Sequence, residues 1–257
     1  MQTLRNHCVW PGQATAAVSL CYDDGNENNL DQAMPDLEAA GFRGSFYLHI
    51  GRSDVQARAA DWRAAHQRGH EIGNHTWYHN CRVDLYGGVR HAWISKPLEE
   101  YTKADMVAEI ARSAAWLDAH IGPDPDRSFT YPCAHITLGQ PPDQQAYMDA
   151  VRTRHRFART YFEPGGVNDP RRVDLMLIDS FYFDANTFEE FRGAAERTLS
   201  AGGWGCLAFH GIGGPSHTTA REVHQRLIGY LASRQIWIAP VRDVARYIEV
   251  RQEGNHQ

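Results

Sequence analysis

The sequence predicts an α/β chain built on a parallel sheet or barrel. Two observations carry this: short apolar runs alternate with longer helical stretches along the chain, and chemistry-bearing residues stand where apolar runs end. The first strand is read over 16–22, an apolar run closed by the turn-forming Asp-Asp-Gly of residues 23–25. A helix over 29–40, a strand over 44–50, a helix over 55–68 and a strand over 69–73 follow. The middle of the chain gives a helix over 103–120, strands over 127–131 and 156–160 separated by a helix over 143–154, and a strand over 174–183. The helix over 187–201 opens on Thr187-Phe188-Glu189-Glu190, a capping-box spacing that satisfies free N–H groups at the helix start, and stops at Gly202-Gly203. A strand over 205–210, a helix over 219–234, a strand over 235–239 and a helix over 241–250 complete the alternation. With no internal repeat, low-complexity segment or linker, residues 1–257 are expected to form a single domain of barrel size.

Composition excludes several classes. Apolar residues at 42% and charged residues at 22% are ordinary globular usage, and a net charge of -5 without a basic run argues against nucleic acid. No polybasic tail and no stretch near the roughly 18 apolar residues of a spanning helix are present, so no membrane partner is expected. Residues 1–7 lack the apolar core of a signal peptide, and Cys8, Cys21, Cys81, Cys133 and Cys206 form an odd set without a Cys-x-x-Cys pair. Together these predict a reducing, cytoplasmic setting, with Cys21 and Cys206 acting as small apolar residues inside strands.

The chemistry starts at Cys21-Tyr22-Asp23-Asp24-Gly25 and His75-Thr76-Trp77-Tyr78-His79. Two His and one carboxylate make the three-ligand set of a catalytic site that keeps a position open for water, and imidazole with carboxylate suits Zn2+, with Co2+ or Ni2+ as alternatives. Successive residues at a strand end point in different directions, so one of Asp23 and Asp24 is expected to bind a divalent metal ion and the other to act as general base. Either motif alone is more often a turn or a pair of surface histidines; it is their joint placement after strand-like runs that points to a metallohydrolase. His210 ends the apolar run Trp204-Gly205-Cys206-Leu207-Ala208-Phe209, where it suits an acid or base, or equally a packed core histidine.

The ordered set Tyr22-Asp23-Asp24-Gly25, His75 to His79, Tyr131-Pro132-Cys133 and Leu207-Ala208-Phe209-His210 resembles the motif series of the polysaccharide deacetylases (NodB homology, carbohydrate esterase family 4) over about residues 16–245. The resemblance implies a distorted (β/α)7 barrel and hydrolytic removal of N-acetyl or O-acetyl groups from a carbohydrate. It implies Asp23 as catalytic base, Asp24, His75 and His79 as metal ligands, His210 as general acid and the backbone N–H of Cys133 as oxyanion donor. Two departures stand out. Thr130 occupies the position of the family's arginine, with Arg127 the nearest in sequence, and the acidic motif that orients the histidine has no clean match, leaving Asp179, favoured over Asp184, for that role.

Long connections over 80–103, with Trp93 and Tyr101, and over 161–172 are candidates for a substrate wall, although the aromatics could equally seal the barrel rim. The glycine-rich turn 211–217 lacks the Lys-Ser/Thr ending of a phosphate loop, which excludes nucleotide binding. The expected partner is an acetylated carbohydrate or a small-molecule substrate. A metal-dependent hydrolase of small amides, ureides or cyclic imides is the alternative on the same site, and a non-catalytic carbohydrate-binding barrel would require loss of ligands or base that are all present.

Overall fold

Parallel strands covered on both faces are mostly apolar, and the buried polar residues in these strands, among them Ser19, Ser45, Glu71, Asn74, Thr130 and Arg159, are hydrogen-bonded. The computed structural model describes residues 10–142, 144–214 and 217–254. Its main sheet has seven strands: β1 Ala16–Tyr22, β2 Ser45–Leu48, β3 Glu71–Asn74, β4 Phe129–Thr130, β5 Ala158–Arg159, β6 Trp204–Phe209 and β7 Ile236–Ile238. Their order is β7-β1-β2-β3-β4-β5, and β6 lies along β1 from Ala17↔Trp204 to Tyr22↔Phe209. Every ladder in this sheet is parallel.

The helices between strands include α1 Met34–Ala39, α2 Ser53–Ala57, α3 Ala59–Gln67, α4 Lys103–His120, α5 Tyr147–Val151, α6 Phe188–Ala201, α7 Arg221–Ala232 and α8 Val241–Gly254. Alternation along β1 divides the core. Val18, Leu20 and Tyr22 pack with residues of α1, α6 and α7, whereas Ala17 and Cys21 pack with Trp10, Trp204, Cys206 and the Val241, Val244 and Ile248 stripe of α8. Fully burying each large apolar side chain stabilises the fold by about 1.5–3 kcal/mol. The capping box read at Thr187 is formed, with the Thr187 hydroxyl accepting from Glu190 N and the Glu190 carboxylate accepting from Thr187 N. Gly202 ends α6 in the left-handed conformation.

The expected strand over 174–183 is not a continuous ladder. Only Ile178 and Phe181 bridge to the sheet, Ile178 to Arg159 of β5 and Phe181 to Leu207 of β6. Between them Asn168 intervenes: its Oδ1 accepts from Asp179 N and its Nδ2 donates to Asp179 O. A side chain thus takes the hydrogen bonds that a neighbouring strand would otherwise make. The two bridges still join β5 to β6 and bring the sheet round into the curled arrangement of a distorted parallel barrel, the α/β class expected. Short pairs not anticipated are Thr137–Leu138 with Gln145–Ala146, and Gly211–Ile212 with Thr218–Thr219. The turn read over 211–217 is described except for residues 215 and 216, and Cys8 likewise lies outside the described residues.

Candidate active site

The Asp pair sits where β1 ends. Asp23 N still bonds Phe209 O of β6 at 2.9 Å, after which Asp24 (φ 71°) and Gly25 (φ 69°) turn the chain away in left-handed conformations. A Cβ on Gly25 would lie 2.8 Å from Leu48 Cδ2, so both the backbone angle and the space demand glycine. This turn sends the two carboxylates to different partners. Asp24 Oδ1 lies 3.5 Å from His75 Nε2 and 3.3 Å from His79 Nε2. These separations match the roughly 3.4 Å between ligand atoms around a tetrahedral ion at about 2.1 Å. Burial alone would raise the Asp24 pKa, but bonds to His75 and His79 outweigh it and hold the carboxyl well below its ordinary range. His75 is held below its usual pKa by burial and by neighbouring His79, which keeps its ring neutral as a ligand must be.

The supports behind these ligands are specific. His75 Nδ1 donates to Thr130 O at 2.9 Å, which fixes the tautomer that leaves Nε2 free for a metal. Thr76 N donates to Asn74 Oδ1 and His79 N to Thr76 Oγ1, each at 2.9 Å, so the left-handed residues Thr76 (φ 65°) and His79 (φ 52°) are held by side-chain bonds. Asn74 is anchored in turn by buried His155, whose Nε2 accepts from Asn74 Nδ2 at 3.1 Å while Nδ1 donates to Arg127 O at 2.9 Å. That pattern requires neutral His155. Burial depresses its pKa from 6.5 to about 4. Because the folded value lies below the unfolded one, the stability it contributes is complete above about pH 6.5 and is lost as pH falls toward 4, by about 3 kcal/mol. Denaturant titrations across this range should show His155→Gln flattening the acid slope; equal slopes would reject the neutral-acceptor role.

Asp23 faces the other way. Its Oδ1 accepts from the guanidinium of Arg159, which is buried, donates to Ser180 Oγ at 3.0 Å and lies over the Tyr47 ring at 5.0 Å. Burial would lower the Arg159 pKa, but the charge of Asp23 more than reverses this and holds Arg159 above its ordinary value. The arginine missing at Thr130 is therefore supplied one strand over, from the paired position Thr130↔Arg159 of β4 and β5. Arg127 is turned away, bonding Gly122 O and pairing with Asp118.

Asp179 is not where the expectation placed it. Its Oδ1 accepts from Phe162 N at 2.9 Å and Ser180 N at 2.8 Å, closing the loop before it, and among the described residues no hydrogen bond joins Asp179 or Asp184 to His210. The missing ladder over 174–183 explains this, since Asp179 faces the loop over 161–167. His210 instead sits edge-on to Tyr182, with ring centroids 5.5 Å apart, and its Nε2 lies 3.9 Å from Asp24 Oδ2.

Cys133 lies in a turn where both it (φ 56°) and Ala134 (φ 59°) are left-handed. Its N–H donates to no other atom among the described residues, so the donor is available to a ligand. Cys133 is bridged to Cys81, which overturns the expectation of unpaired thiols for these two and removes that argument for a reducing compartment. Spacing gave no sign of it because 52 residues separate the partners. His79 and both sulfurs are also close enough to suggest a ligand cluster, but sulfurs bonded to each other offer no thiolate. Cys21 and Cys206 are free and buried, as expected of apolar fillers.

These groups share one cavity of about 730 Å³, lined by Asp23, Asp24, His75, His79, Cys133 and His210, and also by His49, Trp93, Arg159 and Tyr182. Burial, with the nearby His79 and His75, pushes His49 down to about 3, so it is a neutral wall of the site. Trp93 joins the cavity, whereas Tyr101 is buried and donates to Glu109 Oε2 at 2.6 Å, a rim seal. His49 and Arg159 were not read from sequence: each is a single polar residue near a strand end without a motif around it.

A family model described as "Polysaccharide deacetylase" matches residues 12–139, which takes in both Asp residues, both metal-set histidines and Cys133. The chain belongs to the polysaccharide deacetylase family. No curated protein matches the sequence. Among solved structures, a putative polysaccharide deacetylase from Mycobacterium smegmatis is similar at 13% identity and a TM-score of 0.67, covering 96% of this chain and 94% of that one. A mutant of peptidoglycan deacetylase PdaC from Bacillus subtilis is similar at 14% identity, TM-score 0.58, over 94% and 95% of the two chains. A family 4 acetyl xylan esterase from Clostridium thermocellum, solved with a cobalt ion, gives 18% identity and TM-score 0.54 over 90% and 91%. These likenesses establish the shared fold, and the deacetylase family makes the chain a hydrolase.

Proposed function

We propose that this chain is a metal-dependent deacetylase that hydrolyses N-acetyl or O-acetyl groups of a carbohydrate. The observation that carries the reading is the convergence, in one cavity, of the Asp24, His75 and His79 set with an arginine-paired Asp23 and with His210. Asp24, His75 and His79 would hold one divalent ion, and the donor set of two imidazoles and a carboxylate suits Zn2+, with Co2+ or Ni2+ as substitutes. Bound there, the ion supplies Lewis acidity that makes water nucleophilic near neutral pH. Asp23, oriented by Arg159, takes a proton from the attacking water. The Cys133 N–H donates to the acetyl oxygen as negative charge develops on it, a contribution of roughly 2.7–4 kcal/mol for such a donor in acyl transfer. His210 gives a proton to the departing amine or alcohol.

Chelation should abolish turnover and metal addition restore it, followed as acetate released from acetylated oligosaccharides and xylosides, with cyclic imides and ureides assayed in parallel. Full activity in metal-stripped protein would reject the metal role. Ring-opened acids from imides without acetate release would favour the small-amide hydrolase.

A further inference from the structure

We propose that the Cys81–Cys133 disulfide is a positioning device for the oxyanion donor, and that its reduction by a dithiol silences turnover while leaving the metal set intact. The inference rests on the deacetylase reading of the site. The bridge joins two segments that matter separately: Cys81 lies two residues after His79, and Cys133 carries the free N–H in the turn over Pro132–Ala134. That turn needs help. Neither Cys133 nor Ala134 is a residue that favours the left-handed region, and two in succession are held there only if surroundings over-determine them. The turn is closed by Ala134 N donating to Tyr131 O at 3.0 Å and His135 N donating to Pro132 O at 3.1 Å, and it is held from outside by Thr160 Oγ1 donating to Ala134 O at 3.1 Å, Arg82 N donating to His135 Nδ1 at 2.9 Å, and the disulfide with its Cα atoms 5.9 Å apart. Of these, the disulfide is the one that holds the Cys133 side chain and ties the turn to the segment after His79.

The metal set does not depend on the bridge in the same way. His75 is oriented by Thr130 O, and the backbone of His79 by Thr76, which is tied through Asn74 to His155. Loss of the bridge should therefore loosen the donor before the ligands.

Access is one-sided. Cys81 is fully buried, whereas Cys133 lines the cavity. A dithiol's thiolate would attack Cys133 Sγ and expel the Cys81 thiolate, which takes up a proton. The second thiol then closes on the first sulfur, releasing Cys133 as a thiol and the reagent as a cyclic disulfide, two electrons having passed to the protein.

The test compares oxidised protein, dithiol-reduced protein freed of reagent, and Cys81→Ala/Cys133→Ala, all metal-loaded and assayed below their melting temperatures. The expected result is a fall in kcat of roughly 10- to 100-fold, the scale of a displaced oxyanion donor, with KM and bound metal within two-fold of the oxidised form and kcat restored on reoxidation. Amide hydrogen exchange at Ala134 and His135, whose N–H groups bond Tyr131 O and Pro132 O, should accelerate, while exchange over 74–79 stays unchanged. Retained kcat in a folded, metallated double variant would overturn the proposal, as would metal loss in step with activity or unaltered exchange at Ala134 and His135. If the oxidised protein releases no acetate at all, the deacetylase reading fails, and the exchange comparison still decides whether the bridge holds the turn.

Discussion

Asp23→Asn is expected to keep its metal and lose turnover by roughly 10²- to 10⁴-fold, the usual worth of a positioned general base, whereas Asp24→Asn should lose the metal itself. The two carboxylates are neighbours in sequence yet occupy different electrostatic worlds. Asp24 lies within 3.5 Å of both His75 and His79 and needs a full negative charge to complete the ligand set. An amide there keeps the shape and forfeits the charge. Among the described residues Asp23 is not within ligand distance of the His75 and His79 set and is held by Arg159, so the amide variant keeps the ligand cluster while removing the carboxylate placed to accept the proton. Metal analysis of both purified variants, beside kcat on an acetylated substrate, separates the roles. Metal loss in Asp23→Asn with retention in Asp24→Asn would exchange them.

What the sequence made legible follows from the range of the interactions. Alternation, the capping box at Thr187 and the strand-end motifs are local signals, and the structure places Asp23, Asp24, His75, His79, Cys133 and His210 around one cavity. The failures are all contacts between distant segments. The 174–183 run has the composition of a strand, but Asn168 takes the backbone of Asp179 and leaves two isolated bridges. Asp179 Oδ1 accepts from Phe162 N and Ser180 N instead, and among the described residues no hydrogen bond joins it to His210. The Cys81–Cys133 bond and the His155 support for Asn74 are equally invisible, because neither spans a recognisable spacing. Arg159 is the clearest case. A motif search asks for an arginine at position 130, but the chemistry asks only for a guanidinium next to the base, and β5 pairs Arg159 directly beside Thr130.

That relocation makes Arg159→Met the most severe substitution expected outside the ligands and base. Arg159 and Asp23 are both largely shielded from water, with side chains 4% and 13% exposed. Removing one member of such a pair strands the other's charge and costs about 3–5 kcal/mol. Turnover should fall at least as far as in Asp23→Asn, since the base loses both the group that orients it and its charge partner. Arg159→Lys keeps the charge but cannot reach Asp23 and Ser180 Oγ together as the planar fork does, so it should recover only part of the kcat lost in Arg159→Met. Thr130 would remain unaffected in either variant as the acceptor for His75, so metal content should stay near that of the unsubstituted protein. The kcat values and metal contents of the two variants, measured at a temperature where both are folded, decide the matter. Normal kcat in a folded, metallated Arg159→Met would show that the guanidinium is a packing element of the barrel and that Asp23 works without it.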